Sequence, residues 1–250
     1  MLRKVWAALI TDPLIVLATV VLASLSVLTT FFDASGRVAA RIAVFWARTL
    51  LRVSGVHVTV EGLERIVPDG VYVFASNHAS YMDTPVVLGN VPVQFRFLAK
   101  KGLFSIPFLG THLQRAGHIP VFRGNARQNL KTLGMAAEMV QSRGVSLLIF
   151  PEGGRSRDGT LGPFSEGAAY IAIRAGVPLA PVTLIGTQAV LPFGSGVPRP
   201  GRVRMIVGQP IPTADLTMKC REQITARVRE EIAATLGGAG AAEYSTSQKA

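Results

Sequence analysis

Cysteine occurs once in this 250-residue chain, at Cys220, beside Lys219 and Arg221. A single thiol excludes an internal disulfide, which suits a reducing, cytosolic face. No histidine or asparagine frame surrounds it in sequence, so a nucleophilic role is not expected. Histidine is also scarce, with His57, His78, His112 and His118 only. None falls in a His/Cys/Glu cluster at zinc spacing, and no metal is expected. Aromatic residues make up 7%, too thin a stacking inventory for RNA recognition. Acidic residues are the scarcer charge, 15 against 26 Lys and Arg, leaving a net charge of +11. Such an excess attracts anionic partners, either nucleic acid or an anionic membrane. No internal repeat is visible.

The N-terminus favours the membrane. Residues 14–32 carry no charge, are rich in Val, Leu and Ala, and are preceded by Arg3 and Lys4. As a helix this stretch spans about 28 Å, close to the bilayer hydrocarbon thickness of about 30 Å, and Pro13 sits at its first turn. A cleaved signal peptide competes, with Ala34-Ser35-Gly36 as its small residues, but the stretch is longer than a usual signal core. In residues 37–53, Arg37, Arg41, Arg48 and Arg52 fall within about 60° of one another on a helix. A narrow arginine stripe opposite a broad apolar face suits a membrane boundary; an amphipathic helix packed on its own domain is the alternative.

The reactive chemistry is concentrated in two strings. Val71-Tyr72-Val73-Phe74-Ala75 reads as a buried strand that stops at Ser76-Asn77-His78-Ala79-Ser80-Tyr81-Met82-Asp83. On a continuous helix, residues five apart point about 140° away from each other, so His78 and Asp83 meet only if the chain turns between them. A strand-to-helix turn does this. An imidazole held by a carboxylate at one nitrogen keeps the other free to take a proton from a hydroxyl, which makes His78 a candidate general base oriented by Asp83. A helix-capping Asp83 with His78 in a surface loop is the plainer reading. The second strand-like run, Val145-Ser146-Leu147-Leu148-Ile149-Phe150, is ended by Pro151 and followed by Glu152, Gly153, Gly154, Arg155 and Ser156. Adjacent glycines allow N–H groups to turn toward a ligand, and an arginine fork suits phosphate. An ordinary turn in which Arg155 pairs with Glu152 competes.

At these residues the chain resembles the glycerolipid acyltransferase family. Asn77-His78 through Asp83 matches its His-x4-Asp block, and residues 150–156 match its third block, with Gly154 where threonine is usual. Gly117-His118-Ile119-Pro120-Val121-Phe122-Arg123 is similar to the second block, residues 177–182 to the fourth, and residues 97–110 to the segment between the first two. The resemblance spans roughly residues 56–210. It implies His78 and Asp83 as the catalytic pair, and Glu152, Gly153, Arg155 and Arg123 in recognition of the acceptor. It also implies a role for residues 177–182 in acyl-chain contact, and an N-terminal helical membrane anchor. The co-substrates it implies are a lysophospholipid such as 1-acylglycerol-3-phosphate and acyl-CoA or acyl-carrier protein, with no cofactor. Lys100 and Lys101, following a strand, are candidates for phosphate or donor contact. Backbone N–H groups near Gly153 or Lys100 are the expected oxyanion donors.

Strands are expected at 56–60, 71–75, 95–99, 145–150, 179–184 and 202–207, and helices at 84–88, 126–142, 166–175 and 215–236. This alternation predicts an α/β fold, a mostly parallel sheet flanked by helices, with an N-terminal membrane-associated helical segment. The expected organisation is 1–53 membrane-anchoring helices, 54–236 the acyltransferase α/β domain and 237–250 an irregular tail, with residues 192–201 an exposed loop. The expected location is the inner membrane, active site on the cytoplasmic side. Another lysolipid or a glycolipid acceptor, a lipid hydrolase and a non-catalytic lipid-binding protein stay open as alternatives; acyl donor, chain length and oligomeric state are left undetermined.

Overall fold

The computed structural model describes residues 7–33, 35–122 and 126–247. A π-helical turn at Ala7–Thr11 leads into α1, Asp12–Thr29, and α2 follows at Arg37–Val53. The strands are β1 (Val56–Glu61), β2 (Val73–Ser76), β3 (Phe95–Lys100), β4 (Ile119–Val121), β5 (Ser146–Ile149), β6 (Leu179–Ile185) and β7 (Gly201–Val207). The remaining helices are α3 (Asp83–Asn90), α4 (Leu109–Arg115), α5 (Ala126–Arg143), α6 (Gly167–Ala175), the single turn α7 (Thr187–Val190) and α8 (Arg221–Ser247).

One seven-stranded sheet has the order β1-β7-β6-β2-β5-β3-β4, parallel throughout except for the antiparallel β6–β7 pair. The expected mostly parallel α/β architecture is what forms. Period-two alternation within each strand divides the core into two layers. Phe74, Phe95, Phe97, Leu148 and Val182 face one side with Leu51 of α2 and Val86 and Val87 of α3. Val73, Ala75, Leu147, Ile149 and Leu179 face the other, against Ala136 and Val140 of α5, Ile171 of α6 and Val228 and Ile232 of α8. Burial on both faces explains why these strands read as unbroken apolar runs.

β4 and α4 escape the sequence pattern. β4 is three residues long with Pro120 at its centre, tolerable because β4 is an edge strand and its open side needs no donor. α4 is too short to show a helical period. At the C-terminus, α8 continues to Ser247 instead of stopping at Gly237-Gly238. Ala239, Ala241 and Ala242 are the strongest helix formers and offset glycines that cost about 1 kcal/mol each.

α1 is long and apolar enough to cross a membrane by length and composition, over Leu9–Thr29, and little of it is buried. Val16, Leu17, Val21 and Leu28 are exposed, and Phe32, beyond its end, is 90% exposed. Its inner side docks through Trp46 Nε1–H, which donates to Thr19 Oγ1 at 2.9 Å, and through Ser26 Oγ, 2.9 Å from His112 Nδ1 of α4. α2 differs from the expected boundary helix. Ala39, Ala47, Leu50 and Leu51 are buried in the protein, and Arg48 donates to the Gly89 carbonyl at the end of α3. Its apolar face is thus largely a packing face, leaving Val38, Phe45 and Val53 outside.

The 101–105 turn packs on α4 so closely that a Cβ on Gly110 would stand 2.2 Å from the Phe104 carbonyl oxygen. Gly110→Ala is expected to lower the denaturation midpoint in detergent, a loss of about 1–3 kcal/mol; an unchanged midpoint would show that the backbone yields there.

Candidate active site

β2 and β5 are neighbouring parallel strands, with Val73 opposite Leu147 and Ala75 opposite Ile149. Parallel pairing brings their C-terminal ends to the same sheet edge, so the two strings meet although more than seventy residues separate them. Asn77 fixes the end of β2 from the other side: its side chain donates to the Leu184 carbonyl and accepts from the Leu184 N–H, at 2.9 and 2.8 Å. Ser80 Oγ donates to the Leu191 carbonyl and accepts the Met82 N–H. The turn is therefore bonded to the frame before α3 begins at Asp83.

That turn folds His78 back onto Asp83. Nδ1 of His78 lies 2.7 Å from Oδ2 of Asp83, which also accepts the N–H groups of Ala79 and Ser80 at 2.7 and 2.8 Å. A carboxylate only accepts, so Nδ1 carries the proton and Nε2 keeps its lone pair. Asp83 is fully buried, and its Oδ1 has no partner among the described residues. The cost of that orphan acceptor, about 1–3 kcal/mol, marks a side chain held for more than packing. The imidazole lies flat on Phe150, ring centroids 4.0 Å apart and planes 17° from parallel. Phe150 stacks on Phe97, and Phe97 on His118. The base thus rests on a run of rings, and its side chain remains 17% exposed.

Glu152 lines a cleft and also holds the backbone around it. Oε1 accepts the His78 N–H at 2.7 Å and Oε2 the Gly162 N–H at 3.1 Å, and the Ser156 N–H donates to the His78 carbonyl at 2.8 Å. Glu152 therefore ties the two strings together, and the expected alternative, an Arg155–Glu152 pair, does not form. Burial pushes the Glu152 carboxyl above its ordinary range, against the two N–H groups that favour its charge. Gly153 takes φ +70°, the left-handed turn its lack of a Cβ allows, and its N–H donates to the Phe150 carbonyl. That N–H closes a turn at the start of the second string.

Arg155 is the cation of the site. No carboxylate among the described residues pairs with it; its guanidinium lies 3.4 Å over the Tyr81 ring and 4.8 Å from the centroid of Phe193. Arg157 also approaches Phe193, at 5.6 Å. Tyr81 and Phe193 were not singled out from the sequence, although Tyr81 stands inside the first string and Phe193 is the one aromatic of the 192–201 loop. Arg155, Ser156, Arg157 and Thr160 line an open polar cleft beside Glu152. Lys100 ends β3 on the same edge, two strands from β2, and Lys101 sits over the Phe122 ring; neither touches the His78–Asp83 pair. Arg123 lies outside the described residues. Leu179, Ala180 and Val182 of the fourth block are buried in the sheet, and β6 pairs directly with β2. They pack beside β2, and Val177 and Pro178 at the start of the block are half-buried. No group of three metal-ligating side chains occurs among the described residues.

A histidine–aspartate pair, and an arginine without a carboxylate partner among the described residues, thus lie at the carboxyl edge of a largely parallel sheet, where α/β folds place their ligands. The chain belongs to the acyltransferase family, whose model matches residues 57–185. It is 38% identical over 165 residues, 65% of this chain and 47% of the relative, to the chloroplastic 1-acyl-sn-glycerol-3-phosphate acyltransferase BAT2 of Brassica napus. It is 36% identical over 66% of this chain and 46% of the relative to the chloroplastic enzyme LPAT1 of Arabidopsis thaliana, of the same name. It thus spans about half the length of these relatives. The crystal structure of the 1-acyl-sn-glycerophosphate acyltransferase PlsC from Thermotoga maritima superposes with a TM-score of 0.79. That match covers 95% of this chain and 97% of the other at 24% identity, and shows a shared fold.

The Glu152 carboxyl is protonated more readily in the folded chain than in the unfolded one. Its contribution to stability is fully present below the unfolded value of 4.5 and is lost as pH rises through the raised folded value. Denaturation midpoints measured from pH 4 to 8 should fall more steeply for wild type than for Glu152→Gln across that window; parallel curves would refute the assignment.

Proposed function

We propose that this chain transfers an acyl group from a thioester, acyl-CoA or acyl-carrier protein, to the free hydroxyl of a 1-acylglycerol-3-phosphate, giving phosphatidic acid for phospholipid synthesis. The observation that carries this reading is the His78–Asp83 pair with Nε2 free, beside an arginine without a carboxylate partner. The relatives' shared name supplies the acceptor. The acceptor hydroxyl lies against Nε2 of His78 and its phosphate against Arg155, helped by Arg123. Gly154, Arg157 and Lys100 lie along the same edge as further contacts for the acceptor or the donor.

As the hydroxyl oxygen bonds to the thioester carbonyl carbon, its proton passes to Nε2, and Asp83 stabilises the imidazolium. Collapse of the tetrahedral intermediate breaks the carbon–sulfur bond, and the departing thiolate takes the proton from the imidazolium. Ester, free thiol and neutral His78 result, with no covalent acyl-enzyme. Glu152 is a positioning residue in this scheme, acting through the His78 N–H. Phe150 holds the ring plane. The helices α1 and α2 seat the protein at a membrane, where both lipids reside, with the site on the cytoplasmic side.

Transfer of labelled acyl groups to a panel of lysolipids in detergent tests this. His78→Ala is expected to abolish phosphatidic acid formation, and Asp83→Asn to lower turnover by about 10³–10⁴-fold. Either variant keeping near-normal turnover with an intact fold would sink the mechanism. Arg155→Ala should raise KM for lysophosphatidic acid about tenfold or more, with a smaller change in kcat. Efficient transfer only to a lysolipid without a terminal phosphate would keep the chemistry and replace the acceptor; release of free fatty acid instead would mean hydrolysis.

A further inference from the structure

Away from the His78 site, α2, β3 and α4 enclose a cleft whose walls are apolar except at one end. Ala39, Ala40, Ala43 and Val44 of α2 form one side, and their small size keeps the cleft open. Arg96, His112 and His118 form the polar end. Arg96 is 8% exposed. Of its donors only Nη1 is engaged, by the Phe95 carbonyl at 3.2 Å, and no carboxylate among the described residues pairs with it. A buried guanidinium without a counter-charge is costly, because it loses hydration and gains nothing for it.

The other groups at this end do not supply the missing charge. His118 Nδ1 accepts the Phe97 N–H at 2.9 Å, so the neutral ring carries its proton on Nε2, which has no acceptor among the described residues. His112 is held by Ser26. Burial, then the neighbouring positive groups, keep both rings uncharged, with His112 lowered to about 4. Asp33, the acid nearest in sequence to the start of α2, gives its carboxylate to the N–H groups of Ser35 and Val38. After burial, the next influence on Arg96 is the like charge of Arg143. Its Nη2 lies against Gly36, 2.9 Å from where a Cβ would stand, at the positive end of the 17-residue α2. Unused donors and a buried cation thus converge at this end of the cleft, where no carboxylate among the described residues reaches them, the α2 N-terminus beside them being capped by Asp33.

We propose that this cleft is a phosphate-binding site, separate from the acceptor site at Arg155. It takes one phosphate group through Arg96 Nε and Nη2 and His118 Nε2. The apolar wall that α2 gives the cleft suits a phosphate that carries an alkyl chain, as in an anionic phospholipid.

Thermal unfolding of the full chain in dodecyl maltoside tests this against graded inorganic phosphate, phosphatidylglycerol and diacylglycerol. A saturable rise in Tm is expected with phosphatidylglycerol and none with diacylglycerol. The rise should persist in Arg155→Ala and require about tenfold or more ligand in Arg96→Gln, the loss expected for one charge-assisted contact. Inorganic phosphate saturating at concentrations as low as the lipid would make the free ion the ligand; saturation by the lipid alone would make it the lipid. Either supports the site. Ala40→Phe fills the cleft from the opposite wall with Arg96 in place, and should abolish the rise even if Arg96→Gln does not fold. A rise lost in Arg155→Ala but unchanged in Arg96→Gln and Ala40→Phe would overturn the proposal, as would no rise at all in wild type.

Discussion

The two oxygens of Glu152 carry the constraint on which the site depends. Parallel pairing of β2 with β5 brings the ends of two strands to one edge, but strand ends alone leave the following loops free to diverge. Glu152 reaches from the β5 loop to the His78 N–H with one oxygen and to the Gly162 N–H with the other. The His78 carbonyl returns the contact by accepting the Ser156 N–H. Two loops are thereby joined, with the cost of burying a carboxylate met in part by two charge-assisted bonds. Arg155, three residues on, has no ion-pair partner among the described residues.

His78 is then fixed in three independent directions. The backbone of His78 is held by Glu152 and Ser156, its Nδ1 by Asp83, and its ring plane by Phe150. Asn77 ties the same turn to β6 on the far side of β2. A histidine restrained this way loses little further freedom when a substrate arrives, which is the condition for efficient proton transfer at a preset geometry. The stack continues from Phe150 through Phe97 to His118 and His112, and His112 meets Ser26 of α1. The helix apolar enough for a membrane and the catalytic turn therefore share one packed column.

Much of this was legible in the sequence, and the parts that were not share a cause. The His78–Asp83 pair could be read because only a turn lets residues at that spacing meet, and the apolar run before it fixed where the turn falls. The parallel sheet could be read because strands buried on both faces lose their alternation. Glu152 was read as a substrate contact, and the structure adds what sequence could not give, the two backbone N–H groups that its carboxylate accepts. The fourth-block segment, an apolar run with two prolines, was read as an acyl-chain surface; the structure adds that Leu179, Ala180 and Val182 lie in the sheet beside β2 while Val177 and Pro178 are half-buried. Tyr81 and Phe193 were missed because their meeting at Arg155 depends on a loop closure more than a hundred residues long. α2 was half-read: its arginine stripe is outside as expected, but the apolar face is spent mostly on the protein.

Arg155 and Arg96 show how one chain holds two cations without a carboxylate in quite different ways. Arg155 is solvated on its open side and sandwiched by Tyr81 and Phe193, whose ring faces stabilise a cation by about 0.5–1 kcal/mol each at exposed positions. Such an arrangement costs little when empty and presents the planar fork to whatever anion enters. Arg96 has neither water nor rings in comparable measure, only one carbonyl, and it lies beside two histidines that burial keeps neutral. The first arrangement is stable unoccupied; the second stores an uncompensated charge in the fold. A chain can retain a cost of that kind only where something else offsets it, and the small alanines of α2, which leave the cleft open where larger side chains would have sealed it, leave the room for an anion to do so.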